Sequence, residues 1–114
     1  MMGLPKTEER RRKERQKLET LLPGKMHNQK DNEVIEYKVL NISAGGLGIE
    51  AKKHVEAGSH LLLTGDNVEI KFIVVWSQED SEPGQGFYCG LQVEKPTDNI
   101  IEIFKRAGWL KTQD

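Results

Sequence analysis

The 114-residue chain has a single cysteine, few aromatic residues and no long apolar run. Cys89 alone excludes an internal disulfide and a multi-cysteine metal site, and it suits a reducing compartment. The three histidines show no metal-ligand spacing with it. No apolar run approaches the roughly 18 residues of a membrane-spanning helix, and no apolar segment of a signal peptide follows the basic N-terminus. We therefore expect a cytoplasmic protein without membrane insertion.

The chain also lacks a net charge that would indicate a polyanionic partner, because 17 basic and 18 acidic side chains leave it at -1. The charge is nevertheless unevenly distributed. Residues 6–17 contain seven basic and three acidic side chains, which gives this stretch a charge of +4 and leaves -5 for the rest. The basic charge is concentrated at one end.

The apolar pattern predicts one domain after a short basic arm. Residues 1–17 have too few apolar side chains to bury a face, so we interpret them as an N-terminal arm and residues 18–114 as the folded domain. Six segments have the alternation or the composition of strands: residues 18–22, 33–40, 47–51, 61–64, 68–76 and 87–93. Residues 27–32 are predicted to be a loop, residues 77–86 an exposed loop, and Gly65-Asp66-Asn67 a hairpin turn.

The end of the chain changes from the period of a strand to that of a helix. Thr97 or Asp98 is expected to cap this helix and Gly108 to end it. Its apolar positions repeat at three-to-four spacing: Ile100, Ile101, Ile103, Phe104 and Ala107. Six short strands and one helix favour a mainly β fold, a small antiparallel barrel with the helix packed on it, because closure removes the edge strands of so small a sheet.

Three arginines in the arm form the first candidate binding element. Arg11 and Arg15 are four residues apart, so a helix would put both on one face, and an extended arm keeps both within reach of one compact anion. Arg10 precedes them directly. Guanidinium groups bind phosphate oxygens bidentately, pair with the O6 and N7 atoms of guanine, and stack on aromatic planes. A solvated basic tail is the alternative interpretation.

The second candidate element is the sequence NISAGG, which separates two predicted strands. Asn41 offers a donor and an acceptor, and Ser43 offers a hydroxyl. Gly45 and Gly46 allow a ligand to approach the backbone closely. The alternative is a tight turn in which Asn41 and Ser43 bond only to the backbone, although a turn alone would not need two adjacent glycines.

Together the two elements resemble the paired signature of PilZ domains. Arg10-Arg11-x-x-x-Arg15 is followed after 25 residues by Asn41-x-Ser43-x-x-Gly46, where the family allows Asp or Asn at the first position. The resemblance covers most of the chain and extends to Leu47-Gly48-Ile49, Val74-Val75-Trp76 and the segment from Tyr88 to Val93. It implies a six-stranded barrel that binds the bacterial second messenger cyclic di-GMP.

The same resemblance implies two finer points about the ligand. Trp76 lies near the ligand in similar domains and can stack on a guanine, although its place at the end of an alternating apolar face is also typical of a core or barrel-end residue. An extra arginine before the motif, here Arg10, is implied to favour a stacked pair of ligand molecules over a single one.

The main hypothesis is a non-enzymatic cyclic di-GMP receptor in which the arginine arm closes over the ligand against the 41–46 turn. No further cofactor is expected, and no catalytic set of side chains can be argued from the chain. The signal is expected to pass to an unidentified protein effector, in motility, exopolysaccharide or pilus regulation as the family implies. The alternatives are a PilZ-like interaction module that binds no nucleotide, and a nucleic-acid-binding barrel. An acidic barrel without an aromatic ladder disfavours the last, so no nucleic acid partner is expected.

Overall fold

The computed structural model of the chain describes residues 16–20, 22–82 and 84–110. Within them lie eight strand segments and one helix. The strands are β1 (Gln16–Thr20), β2 (Lys25–Asn28), β3 (Val34–Ile35), β4 (Tyr37–Ser43), β5 (Gly46–Ala51), β6 (His60–Gly65), β7 (Val68–Glu79) and β8 (Phe87–Val93), and the helix is α1 (Ile100–Arg106). Seven of these strands have four or more residues, whereas β3 has two.

All the strands belong to one antiparallel sheet in the order β1-β4-β5-β8-β7-β6-β2-β3. Tight hairpins join β4 to β5 and β6 to β7, whereas β1 pairs with the distant β4, and β2 pairs with the distant β6 as well as with the nearby β3. The sheet curls into a half-barrel, and α1 packs against the core. The predicted mainly β, antiparallel barrel-type fold with a C-terminal helix is confirmed, with a seventh full strand and the short β3 added to the six predicted.

The core lies on the inner face of the curled sheet. Along β7, Val68, Ile70, Phe72 and Val74 are buried and alternate with residues that are wholly or partly exposed. This period of two is what a strand needs to bury one of its faces. From α1, Phe104 is fully buried, and it joins residues of the sheet in one apolar cluster. The helix therefore completes the core.

The helix begins after a cap that the sequence pattern missed. Asn99 is the cap, and its side-chain Oδ1 accepts a hydrogen bond from the backbone N–H of Glu102 at 3.2 Å. The prediction of Thr97 or Asp98 was wrong because both lie in a turn, in which the N–H of Asp98 donates to the carbonyl three residues earlier at 2.9 Å. Gly108 follows the helix with a φ of 80°, as predicted. Among the described residues, no helix has the length and apolar character to cross a membrane.

Two predicted loops are shorter in the structure, and one predicted turn is confirmed. Residues 27 and 28 belong to β2, which pairs with β6 and buries Met26 completely. Strand β7 runs on to Glu79, which pairs with the first residue of β8, so the exposed loop starts at residue 80. Partner strands override polar composition in both places. The predicted hairpin turn is present, with φ values of 33° at Asp66 and 69° at Asn67.

Candidate ligand-binding site

The strand that carries the second motif has β1 as its neighbour. Gln16 of β1 pairs with Ile42 of β4, and Lys17 pairs with Asn41. Hydrogen-bonded strands lie about 4.8 Å apart. The beginning of β1, which directly follows the arginine segment in the sequence, is therefore next to the motif strand.

The turn between β4 and β5 is anchored to two other elements. The carbonyl oxygen of Ala44 accepts a hydrogen bond from the N–H of Ile100, the first residue of α1, at 3.0 Å. The carbonyl oxygen of Gly45 accepts one from the N–H of Val93, the last residue of β8, at 2.9 Å. Ser43, which precedes the turn, is only 8% exposed. The turn is thus held in a fixed position between the helix and β8.

The two adjacent glycines have different surroundings. A Cβ atom placed on Gly46 would overlap the carbonyl oxygen of Leu91 on β8, whereas a Cβ on Gly45 would meet nothing within 4 Å. Neither glycine has a φ in the left-handed region. Gly46 therefore has a steric reason to be glycine that involves no ligand, namely the close approach of β8. Gly45 borders open space, which leaves its backbone accessible to a ligand.

Four residues form one continuous row across four strands of the sheet. Asn41 of β4 pairs with Gly48 of β5, Gly48 pairs with Gly90 of β8, and Gly90 pairs with Trp76 of β7. The neighbours of Gly48 in the chain, Leu47 and Ile49, are fully buried, so position 48 itself faces outward. We call this set, Asn41, Gly48, Gly90 and Trp76, the outer row.

The side chains at the two ends of the outer row cover its two glycines. A Cβ on Gly48 would lie 2.6 Å from both Nδ2 and Oδ1 of Asn41. A Cβ on Gly90 would overlap Nε1 of Trp76 and lie 2.7 Å from its Cε2. The Asn41 amide and the five-membered ring of the Trp76 indole therefore lie over the backbone of the neighbouring strand.

Trp76 keeps much of its surface in solvent although it covers Gly90. Its relative exposure is 49%, and a bulge between Val74 and Trp76 adds the equally exposed Val75. An indole that rests on backbone with one side and meets water with the other is suited to stacking against a planar ligand. The expectation that Trp76 ends the apolar face of β7 is wrong, because the bulge turns it to the outer face of the sheet, and its exposed fraction is not that of a core residue.

The outer row carries no charged side chain, and the next row along the same face carries both signs. Nζ of Lys38 lies 3.8 Å from Oε1 of Glu50, and Glu50 is the register partner of Tyr88 on β8. The hydroxyl of Tyr88 donates to Asp80 at 2.7 Å. The backbone N–H of Glu82 and this hydroxyl lower the pKa of Asp80, and the bond to Asp80 raises the pKa of Tyr88. Apart from β1, whose residue Lys17 pairs with Asn41, the described part of this surface thus offers amide, hydroxyl and aromatic groups and the ion-paired Lys38, but no cluster of cations for a phosphate.

The structure brings most of the predicted site residues into one region. Asn41, Ser43, Gly45 and Gly46 belong to one hairpin, and the outer row connects Asn41 to Trp76, which is 35 positions further along the chain. The predicted arginines, Arg10, Arg11 and Arg15, lie outside the described residues. Sequence reasoning did not assign a role to Gly48 or Gly90. Only knowledge of which strands pair could have done so.

A cavity of about 630 Å³ lies where β2 and β3 approach the beginning of β4, and Lys38 and Glu50 of the row beside the outer row contribute to its lining. Its lining includes Met26, Val34 and Tyr37, and none of the predicted site residues. The hydroxyl of Tyr37 donates to the carbonyl of Gly24 at 3.0 Å, and burial raises the pKa of Tyr37 to about 12. This tyrosine therefore acts as a neutral structural bridge.

Comparison with known proteins gives one clear result. A family model described as the PilZ domain matches residues 9–106, which is most of the chain and includes both candidate elements. The comparison with curated proteins gives no match.

Proposed function

The chain belongs to the PilZ domain family, which is generally a family of cyclic di-GMP receptors, and we propose that this protein binds cyclic di-GMP between its arginine segment and its Asn41 to Gly46 hairpin. The observation that carries this proposal is the pairing of β1 with β4. Arg15 directly precedes Gln16 in the sequence, and consecutive Cα atoms are about 3.8 Å apart, so β1 begins one residue after the arginine segment and beside the motif strand.

The two elements supply complementary chemistry. Cyclic di-GMP has two phosphates and two guanines, and the outer row provides no cation to neutralise a phosphate. The three arginines supply that charge in this proposal, because guanidinium groups bind phosphate oxygens and can also stack on a guanine. Asn41 and Ser43 donate or accept hydrogen bonds, and Trp76 provides a face for stacking. Gly45 leaves room for the ligand beside the turn, and Gly46 fixes the hairpin against β8.

We propose that the protein acts as a non-enzymatic receptor and that its ligand-bound surface is recognised by a protein effector. A basic segment that has few apolar side chains gains order when phosphates neutralise its charge, and this changes the surface that another protein meets. The ligand is a bacterial second messenger, so the cytoplasm is the expected place of action. The competing possibility is an interaction module that binds no nucleotide, and binding measurements separate the two.

The test is calorimetric titration of the full chain with cyclic di-GMP, GTP and a single-stranded RNA. Of the three, we expect cyclic di-GMP to bind and GTP and the RNA not to bind. The stoichiometry shows whether one or two molecules of cyclic di-GMP bind. Arg11→Ala and Arg15→Ala should each weaken binding by about 1.5–3 kcal/mol, the range for hydrogen bonds to charged groups. Arg106→Ala is the matched control, because Arg106 is an exposed arginine at the end of α1.

Each result has a defined meaning for the proposal. A parent protein that does not bind cyclic di-GMP would support the interaction module. Tight binding of RNA would support the nucleic-acid-binding barrel. Equal losses in Arg106→Ala and Arg11→Ala would show a general charge effect instead of a clamp.

A further inference from the structure

The outer row contains two glycines that directly oppose each other on neighbouring strands. Gly48 and Gly90 are register partners on β5 and β8, and both face outward between buried apolar neighbours. A pair of glycines in the middle of a sheet is unfavourable for the strands themselves, because glycine lacks a side chain to pack and loses much backbone freedom on folding. Such a pair therefore requires a specific reason.

Backbone conformation does not supply that reason. Neither Gly48 nor Gly90 has a φ in the left-handed region. Their Cβ positions are instead occupied by the side chains of Asn41 and Trp76. Gly46 provides a contrast within the same strand, because its Cβ position is blocked by the backbone of Leu91, which cannot move aside by a side-chain rotation.

The two glycines determine how far apart the functional groups lie. Asn41 and Trp76 are separated by three strand spacings, which is about 14 Å at roughly 4.8 Å each. Each side chain extends along the outer row toward the other and covers the neighbouring strand, so the amide lies over Gly48 and the indole over Gly90. The remaining separation is a single strand spacing of about 5 Å, a distance that one nucleotide can span.

We propose that Gly48 and Gly90 are positioning residues of the ligand site, and that their missing side chains place the Asn41 amide and the Trp76 indole side by side for one ligand. This inference rests on the proposed function, because it takes cyclic di-GMP as that ligand. An alanine at either position displaces its covering side chain by rotation into solvent and leaves the sheet intact. Trp76 can move in this way because half of it is already exposed.

The first test is a set of double-mutant cycles measured by binding of cyclic di-GMP to the full chain. Gly90→Ala should weaken binding about 5- to 150-fold, the effect expected for the loss of one base stacked on an aromatic ring. In a Trp76→Ala background, Gly90→Ala should weaken binding no further, because it acts only through the indole. In an Asn41→Ala background, Gly90→Ala should keep its full effect, because Asn41 does not cover Gly90. The combination of Gly90→Ala with Asn41→Ala is therefore the matched control.

The same cycle applies to the other glycine. Gly48→Ala should weaken binding about 3- to 10-fold, in keeping with the loss of one ordinary hydrogen bond, and should have no effect beyond that of Asn41→Ala. Either glycine variant binding like the parent would overturn the proposal. Effects that simply add within a pair would also overturn it, since they would indicate that the glycine acts independently of the side chain.

The second test needs no ligand and therefore separates this inference from the proposed function. Acrylamide quenching is measured for each protein and for its Trp76→Phe version, in which only Trp109 fluoresces. The difference between the two gives the quenching of Trp76. Gly90→Ala should make Trp76 more accessible to the quencher and Gly48→Ala should not. Unchanged quenching in Gly90→Ala would refute the displacement of the indole, even if the parent protein proved not to bind cyclic di-GMP.

The same variants also provide a control for loss of folding. If Gly90→Ala fails to unfold cooperatively, the Gly90→Ala/Trp76→Ala protein decides the matter, because the obstructing indole is then gone. Recovered cooperative unfolding supports the proposal. A double variant that still does not fold would mean that the backbone requires glycine at position 90, and the proposal would be wrong.

Discussion

The glycine pair in the β4–β5 hairpin gives the sharpest test of the packing. Gly46→Ala puts a methyl group against the carbonyl oxygen of Leu91, whereas Gly45→Ala puts one into open space. The two substitutions are chemically identical and lie one residue apart. Neither position has a φ that disfavours alanine, so backbone strain is not part of the comparison.

The expected size of the effect follows from the overlap. An ordinary C···O contact is at least about 3.3 Å, so β5 and β8 must separate locally by about 1 Å to accommodate the methyl group of Gly46→Ala. Gly46 pairs with Gln92, and the carbonyl of Gly45 accepts the N–H of Val93, so this shift weakens the hydrogen bonds around the turn. Overpacking of this kind costs about 1–3 kcal/mol, and we expect the upper part of that range because backbone is involved.

Gly45→Ala should behave in the opposite way. Its methyl group meets no atom, and alanine restricts the unfolded chain, so the free energy of unfolding should be unchanged or rise by up to about 1 kcal/mol. If the ligand approaches the backbone at this position, the same variant should nevertheless bind cyclic di-GMP more weakly.

Urea unfolding followed by circular dichroism measures both variants against the parent. A loss of 2–3 kcal/mol in Gly46→Ala corresponds to a decrease in Tm of roughly 10–20 °C for a domain of this size. A Gly46→Ala protein as stable as the parent would refute the claim that the carbonyl of Leu91 on β8 requires glycine at position 46. A Gly45→Ala protein that loses as much as Gly46→Ala would show that the turn, and not the contact with Leu91, requires glycine.

Three further predictions concern other elements. Tyr37→Phe should cost about 0.5–1.5 kcal/mol at neutral pH by removing the bond to Gly24. Burial raises the pKa of Tyr37 from 10.0 to about 12, so its contribution to the free energy of unfolding should be complete below pH 10 and fall as the pH rises toward 12. Urea unfolding across that pH range should therefore show a smaller decrease in the free energy of unfolding for Tyr37→Phe than for the parent. Asn99→Ala should cost about 0.5–2 kcal/mol by loss of the helix cap, whereas Thr97→Ala should change stability by less than about 0.5 kcal/mol in thermal unfolding. Trypsin should cut the 10–15 segment of the ligand-free protein rapidly, and cyclic di-GMP but not equal GTP should protect it; equal rates with and without cyclic di-GMP would contradict ordering of this segment by the ligand.

Local patterns in the sequence were sufficient for much of the fold. The alternation along β7 as far as Val74, the Asp66-Asn67 turn and the apolar positions of α1 all depend on residues within about ten positions of one another, and each of these predictions was confirmed. Apart from the cap of α1, which is a local feature, the predictions that were wrong depend on distant partners. The four residues of β2 become a strand because β6 lies beside them, and β7 continues to Glu79 because β8 supplies hydrogen bonds.

The same division applies to the candidate site. The hairpin from Asn41 to Gly46 is contiguous, so the sequence motif names its residues directly. The covering of Gly90 by Trp76 depends on the register between β7 and β8, including the bulge that precedes Trp76. A shift of one residue in that register would point the indole to the opposite face of the sheet. No spacing within a single segment of the chain contains that information.

The glycines near the motif also show why a motif alone does not define a site. Gly45 borders open space, Gly46 avoids the backbone of β8, and Gly48 makes room for the Asn41 amide. These are three different physical reasons for the same residue type within four positions. One of them, the contact of Gly46 with Leu91, involves a group outside residues 41–46, so copying these residues onto another hairpin would reproduce the turn without its support from β8. We therefore expect a transplanted site to bind cyclic di-GMP only when β8 with Gly90 and β7 with Trp76 are transferred in register with it.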